Sequence, residues 1–320
     1  MGKDQRMKDV NINQGKNYKI RDDAIVKITP YNNGNEIQIK DSLRIQNNLK
    51  QGIIKKSKDK FLDIRTNQIR DYKHNNSKND KGIKRAMSKL RKLLKNNFFG
   101  YRNELFITLT CEEIIKDVDL IVKYFKQFWN KLQNIYESLA YAYVIEMQEE
   151  RQSLHIHALV KDMKNSKLTI KNNKIRELWG QGHTKTSKIS NHPKANSINE
   201  EYMIKKMEKE DEELDASANE PADAKATSET KNEKQSTYGI NAVISYMIKS
   251  KSKENIPSNK QLYHSSKCLK YPEEIEMQYK KVKEMIANNY RLKNEHTILI
   301  EDPETGKIIN KHKTETYEKK

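Results

Sequence analysis

Alternation and helical periodicity are clearest between residues 101 and 200, and they define a run of elements. ELFITLT (Glu104–Thr110) alternates and is rich in β-favouring residues, so it reads as a strand. Asp117–Ile135 puts Ile121, Phe125, Phe128, Leu132 and Ile135 on one side of a helix. YAYVIEM (Tyr141–Met147) and LHIHALV (Leu154–Val160) read as two further strands joined by the polar connector EERQS (Glu149–Ser153). IRELWG (Ile175–Gly180) is a short helix that its glycine can close, and HTKTSKI (His183–Ile189) reads as another strand. This order predicts an α+β fold, an antiparallel sheet with packed helices.

Patterning is weaker on either side. IVKITPY (Ile25–Tyr31) and NEIQIK (Asn35–Lys40) flank Asn32-Asn33-Gly34 and predict a hairpin. DYKHNNSKNDKGI (residues 71–83) reads as a solvated loop. KRAMSKLRKLLK (Lys84–Lys95) is a helix with Met87, Leu90 and Leu94 as its apolar stripe. INAVISYMIKS (Ile240–Ser250) is a second helix. Residues 208–223 hold eight acidic residues and one lysine, and with the following Ala, Ser and Thr they read as a flexible insertion over 208–237. The tail beyond Pro272 is expected to be mostly helical and polar, then loose. The predicted organisation is a basic N-terminal region (1–83), a central domain (84–270) and a polar tail (271–320).

Charge changes the picture. The chain has 320 residues and a formal net charge of +18, and only 35% of it is hydrophobic. Residues 1–100 carry 25 Lys+Arg against 10 Asp+Glu, so +15 of the +18 lies there. Such a surplus favours a polyanion through counterion release at phosphates. Lys84, Arg85, Lys89, Arg91 and Lys92, on the polar side of the first strong helix, are the candidate nucleic-acid-binding residues. Cys111 and Cys268 match no zinc spacing and read as reduced thiols. Without an apolar leader or a membrane-length run, a cytoplasmic location is expected.

The candidate chemistry sits on two elements. His155 and His157 alternate with Leu154, Ile156 and Ala158, so on a strand both imidazoles leave one face, where they can hold a divalent ion. Glu146, on the preceding strand, is the candidate third ligand, with Glu149 and Glu150 in the connector as rivals. Register decides among them, and the sequence does not fix register. Two imidazoles and a carboxylate suit Mg or Mn chemistry on a phosphate. Tyr246 and Lys249 lie at i and i+3 on the later helix, a nucleophile beside a cation.

FITLT (Phe106–Thr110), then Glu146-x-Gln148 with HIHALV (His155–Val160), then YMIK (Tyr246–Lys249), in that order, resembles the HUH endonuclease superfamily. The closest likeness is to the rolling-circle replication initiators of plasmids and filamentous phages. Ser250 stands where many phage members carry a second tyrosine, so the resemblance is to single-tyrosine members. It covers about residues 84–270 and implies a ferredoxin-like nuclease fold. It further implies that Tyr246 attacks a DNA phosphate, forming a 5′-phosphotyrosine and freeing a 3′-OH primer. His155, His157 and Glu146 would hold Mg or Mn, and Lys249 would orient the phosphate. The implied partners are single-stranded and hairpin DNA at an origin, a host helicase and polymerase, and in many members a second copy. An HUH transposase and a non-catalytic basic repressor are the competing readings.

Overall fold

The computed structural model describes residues 12–13, 18–31, 34–44, 53–57, 60–63, 67–71, 80–148, 151–192, 195–196, 199–218, 236–249, 256–257, 260–301 and 308–320. Two units divide the chain: residues 1–74 with 272–320, and residues 75–271. The first opens with β1 (Ile12–Asn13), β2 (Ile25–Tyr31), β3 (Glu36–Arg44), β4 (Ile53–Lys55), β5 (Lys60–Asp63) and β6 (Gln68–Asp71). The second holds α1 (Asp80–Asn97), β7 (Glu104–Thr110), α2 (Val118–Gln133), β8 (Leu139–Met147) and β9 (Leu154–Asp162). It continues with α3 (Asn172–Trp179), β10 (Thr184–Ser190), α4 (Glu200–Ala218), β11 (Thr237–Gly239), α5 (Ile240–Met247) and β12 (Tyr263–Ser265). The chain then returns to the first unit with β13 (Ile275–Gln278), α6 (Tyr279–Ile286), β14 (Tyr290–Glu301) and β15 (Ile308–Lys319).

The fold is α+β, as the patterning predicts. In the second unit the sheet runs β11-β10-β7-β9-β8-β12, antiparallel except for the parallel pair β10–β11. β7 is buried along its whole length, so each of its faces must be covered. Tyr141 and Tyr143 on β8 face α2, whose Phe125 ring centroid lies 5.1 and 4.0 Å from theirs. The α2 stripe is buried at Ile121, Phe125, Phe128 and Leu132, whereas Ile135 lies beyond the end of the helix and is exposed. Asp117 caps α2 by accepting the Asp119 N–H at 2.9 Å. Gly180 closes α3 in the left-handed region (φ 63°), where a glycine has no Cβ to strain.

One turn before β7 is unusually tied down. The buried Glu104 carboxylate accepts the backbone N–H groups of Phe99, Gly100 and Tyr101 and pairs with Lys161 at 3.1 Å. Gly100 has φ +77°, and a Cβ there would lie 2.5 Å from the backbone nitrogen of Asn191. This turn delivers β7 to the middle of the sheet.

The first unit contains a six-stranded antiparallel sheet, β1-β14-β15-β3-β2-β13, and a three-stranded one, β4-β5-β6. The hairpin expected from residues 25–40 is β2–β3. Val26, Ile28, Ile37 and Ile39 form its core with Val282 and Ile286 of α6. The tail is a correction. Among the described residues beyond 272 it carries three strands and one helix of eight residues, not a mainly helical run that ends loosely. Lys313, Glu315 and Tyr317 of β15 are its buried residues on one face, and both Tyr279 and Tyr317 donate to Glu315. Their polarity hides the strand alternation. A second correction concerns the acidic segment: residues 208–218 belong to the 19-residue helix α4, not to a flexible insertion. Residues 219–235 of that predicted insertion lie outside the described residues.

Candidate metal centre

β8 and β9 pair in a register that puts Glu146 directly opposite His155. On the other side of β9, His155 faces Thr110 and His157 faces Thr108. The connector sets this register. Gln148 N–H donates to Ser153 O at 3.0 Å, and Gln152 takes a left-handed conformation (φ 51°). The Ser153 hydroxyl accepts the Ile115 N–H, and Arg151 donates to the carbonyls of Cys111 and Glu112, which ties the hairpin to the loop after β7. Glu149 and Glu150, the rival ligands, lie outside the described residues.

The three side chains converge. One ligand atom from each of Glu146, His155 and His157 lies within 4.8 Å of the others. The two Nε2 atoms are 2.7 Å apart, and His157 Nε2 is 3.7 Å from Glu146 Oε2. All three residues are buried, with His157 at 0% exposure. Two imidazoles and a carboxylate are a fitting donor set for a divalent cation. The Thr110 hydroxyl, opposite His155, is buried and has no hydrogen-bond partner among the described residues. Its place opposite His155 leaves an unused hydroxyl beside the histidine pair.

Around this cluster the sheet face is polar. The Thr108 hydroxyl is 3.2 Å from His157 Nδ1, a contact that orients the ring and turns Nε2 toward the cluster. Phe106 stacks on His157 at 5.8 Å. Lys185 on β10 sits opposite Thr108 in register, so Lys185, Thr108 and His157 form a row across three strands.

α5 brings the candidate nucleophile to the same place. The Tyr246 ring packs edge-on to His157 with centroids 4.9 Å apart and lies 6.4 Å from Phe106. Lys249 follows the end of α5. Its N–H donates to the Tyr246 carbonyl at 3.2 Å, and its ammonium stands 5.6 Å from the Tyr246 ring centroid. Burial raises the Tyr246 phenol far above its ordinary pKa, and the negative charges of Asp211, Glu146 and Glu208 push the same way. The phenol is therefore protonated in this arrangement.

Residues from α4 complete the cluster, and the sequence reading did not include them. The Tyr246 hydroxyl donates to Asp211, whose other oxygen lies 3.3 Å from the Thr108 hydroxyl. Asp211 is also 3.7 Å from His157 Nε2. Glu208 pairs with Lys249, and Glu210 pairs with Lys185 and accepts from Tyr238. A signal was present. Met203, Met207 and Asp211 recur at four-residue spacing, and all three are buried on one face of the helix.

The basic residues of α1 stand apart from this cluster. Lys84, Arg85, Lys89 and Arg91 are exposed and Lys92 is half-buried, while Ile83, Met87, Leu90, Leu93 and Leu94 pack inward. Lys84 and Arg91 line, with Met87, Ser88 and Ile248, a cavity of about 240 Å³ beside the end of α5. Both cysteines are free thiols; Cys111 is buried, and that burial raises its pKa to about 11.

Residues 104–211 match the family model Replication-associated protein ORF2/G2P. The matched segment begins at the first residue of β7, includes Glu146, His155 and His157, and ends at Asp211. It supports a replication-associated role for this chain and, with that role, interaction with DNA. Tyr246 and Lys249 lie beyond it. Neither the curated proteins nor the solved structures gave a match. Among the described residues no helix is long and apolar enough to cross a membrane.

Proposed function

We propose that this protein starts rolling-circle replication by nicking one DNA strand, with Tyr246 as the nucleophile. The observation that carries the reading is the edge-on packing of Tyr246 against His157, which sets a tyrosine hydroxyl beside a buried two-histidine, one-carboxylate cluster. The match to a replication-associated family supports it.

Glu146, His155 and His157 would hold Mg or Mn. A divalent cation bound there neutralises charge that develops on the non-bridging oxygens of a phosphate. The protein's own groups do the rest. Thr108 fixes the His157 ring. The helix α5 holds Tyr246 in place. Lys249, next to the ring, supplies a positive charge for the phosphate or for the developing tyrosinate. In the reaction the Tyr246 Oη–P bond forms as the P–O3′ bond breaks, and the phenol proton ends on the released 3′ oxygen. The product is a 5′-phosphotyrosine with a free 3′-OH, and the exchange of one ester for another makes rejoining possible. The exposed cations of α1, apart from the cluster, would hold the strand farther along its length. Capture of a covalent adduct on single-stranded DNA, with and without Tyr246, tests the reading.

A further inference from the structure

The cluster in this structure is closed: Glu146, His155, His157, Thr108 and Tyr246 are each at most 6% exposed. α4 lies over part of this face, where Asp211 contacts His157, Thr108 and Tyr246. What α4 brings to that face is specific. Glu208 holds Lys249, Glu210 holds Lys185, and Asp211 holds the Tyr246 hydroxyl and faces His157. Three carboxylates in four residues thus meet two ammonium groups, the tyrosine and a histidine of the cluster. On the reading above, Tyr246, Lys249 and His157 are groups that meet the scissile phosphate. α4 is also anchored by apolar side chains, with Met203 and Met207 buried and Ile204 partly buried. The pair between Glu208 and Lys249 is about one-third exposed on both sides. Pairs of that kind are weak singly and open to competition by another polyanion.

We propose that the acidic face of α4 occupies the path of the DNA strand, and that Lys185 is a further phosphate-binding residue on that path. Lys185 lies two strands from His157 across the sheet, about 10 Å at ordinary strand spacing. Lys249 lies next to Tyr246, so the two ammonium groups belong to the same covered face as the histidine cluster. The carboxylates of α4 stand in for phosphate there, and a single strand must displace the helix to enter. The proposal rests on reading this face as the DNA site, but not on Tyr246 being the nucleophile.

The test reads binding without cleavage. Fluorescein-labelled oligo-dT is titrated in EDTA, by anisotropy, with the full chain, with Glu208→Gln/Glu210→Gln, and with Glu212→Gln/Glu213→Gln. Glu212 and Glu213 are exposed, so the last variant makes the same change of charge away from the covered face. The expected result is roughly tenfold tighter binding by the 208/210 variant, the sum of a few weak pairs released, and a much smaller gain by the 212/213 variant. Equal gains in the two variants, or none at 208/210, would overturn the proposal. Adding Lys185→Ala to the 208/210 variant is expected to remove most of its gain, and an unchanged affinity would overturn the assignment of Lys185. Melting curves of each variant keep loss of folding separate from loss of binding. If the wild type fails to form a DNA adduct, the nicking reading falls while these binding results still decide the role of α4.

Discussion

At the residue scale, His157 joins every part of the site. Its Nδ1 meets Thr108, its Nε2 lies 2.7 Å from that of His155, and its ring contacts both Phe106 and Tyr246. Three contacts around a ring leave one nitrogen with a fixed direction, and that direction is the cluster. Mn added in excess is expected to raise the melting temperature of the wild type by a few degrees, because a ligand bound only to the folded state stabilises it. EDTA should reverse the shift, and His155→Ala should abolish it. A shift of full size in His155→Ala would mean that the ion binds elsewhere. The histidine pair and Tyr246 were legible as residues, because an alternating strand and a Tyr-x-x-Lys spacing show in one dimension. Asp211 was not. It sits in a run of carboxylates where each looks solvated, and only its four-residue spacing from Met203 and Met207 marks it as inward-facing.

At the element scale, the central sheet was readable and its register was not. β7, β8 and β9 each carry enough apolar alternation to be placed from sequence, and the stripe of α2 is continuous. The pairing of Glu146 with His155 depends instead on a connector bent at Gln152 and tied to the Ile115 loop by Ser153 and Arg151, contacts distant in sequence. The tail failed as a helix prediction because the inward residues of β15 include Lys313 and Glu315, satisfied by ion pairs and tyrosine hydroxyls and not by apolar packing. The turn before β7 carries a prediction of its own. Gly100→Ala forces a Cβ against the Asn191 backbone at a positive φ. The variant should lose more than about 1 kcal/mol in urea unfolding, through strain and displacement of the chain at the end of β10. A change within experimental error would show that the turn relaxes freely.

At the scale of the whole molecule, the chain leaves one unit after residue 74 and returns to it at 272, with the sheet that carries the histidine cluster and its helices in between. The net charge of +18 is spread over a sequence only 35% hydrophobic, which suits contact with a polyanion more than a large apolar interface. Single-strand affinity should therefore fall steeply with salt. Lys84 and Arg91, on the exposed side of α1, are each expected to contribute one phosphate contact. Their joint replacement by alanine should make the slope of log K against log salt shallower by roughly 1.4, as for two counterions on a single strand. A weaker affinity at an unchanged slope would assign them a different role.

The most direct test of the account is covalent capture. Wild type and Tyr246→Phe are incubated with Mn and a pool of 3′-fluorescein single-stranded oligonucleotides of random sequence, then resolved under denaturing conditions. The label is at the 3′ end because the tyrosine retains the fragment whose 5′ phosphate it attacks. A labelled protein band is expected from the wild type, absent without metal and absent from Tyr246→Phe. A band of equal strength from Tyr246→Phe would contradict the assignment of the nucleophile.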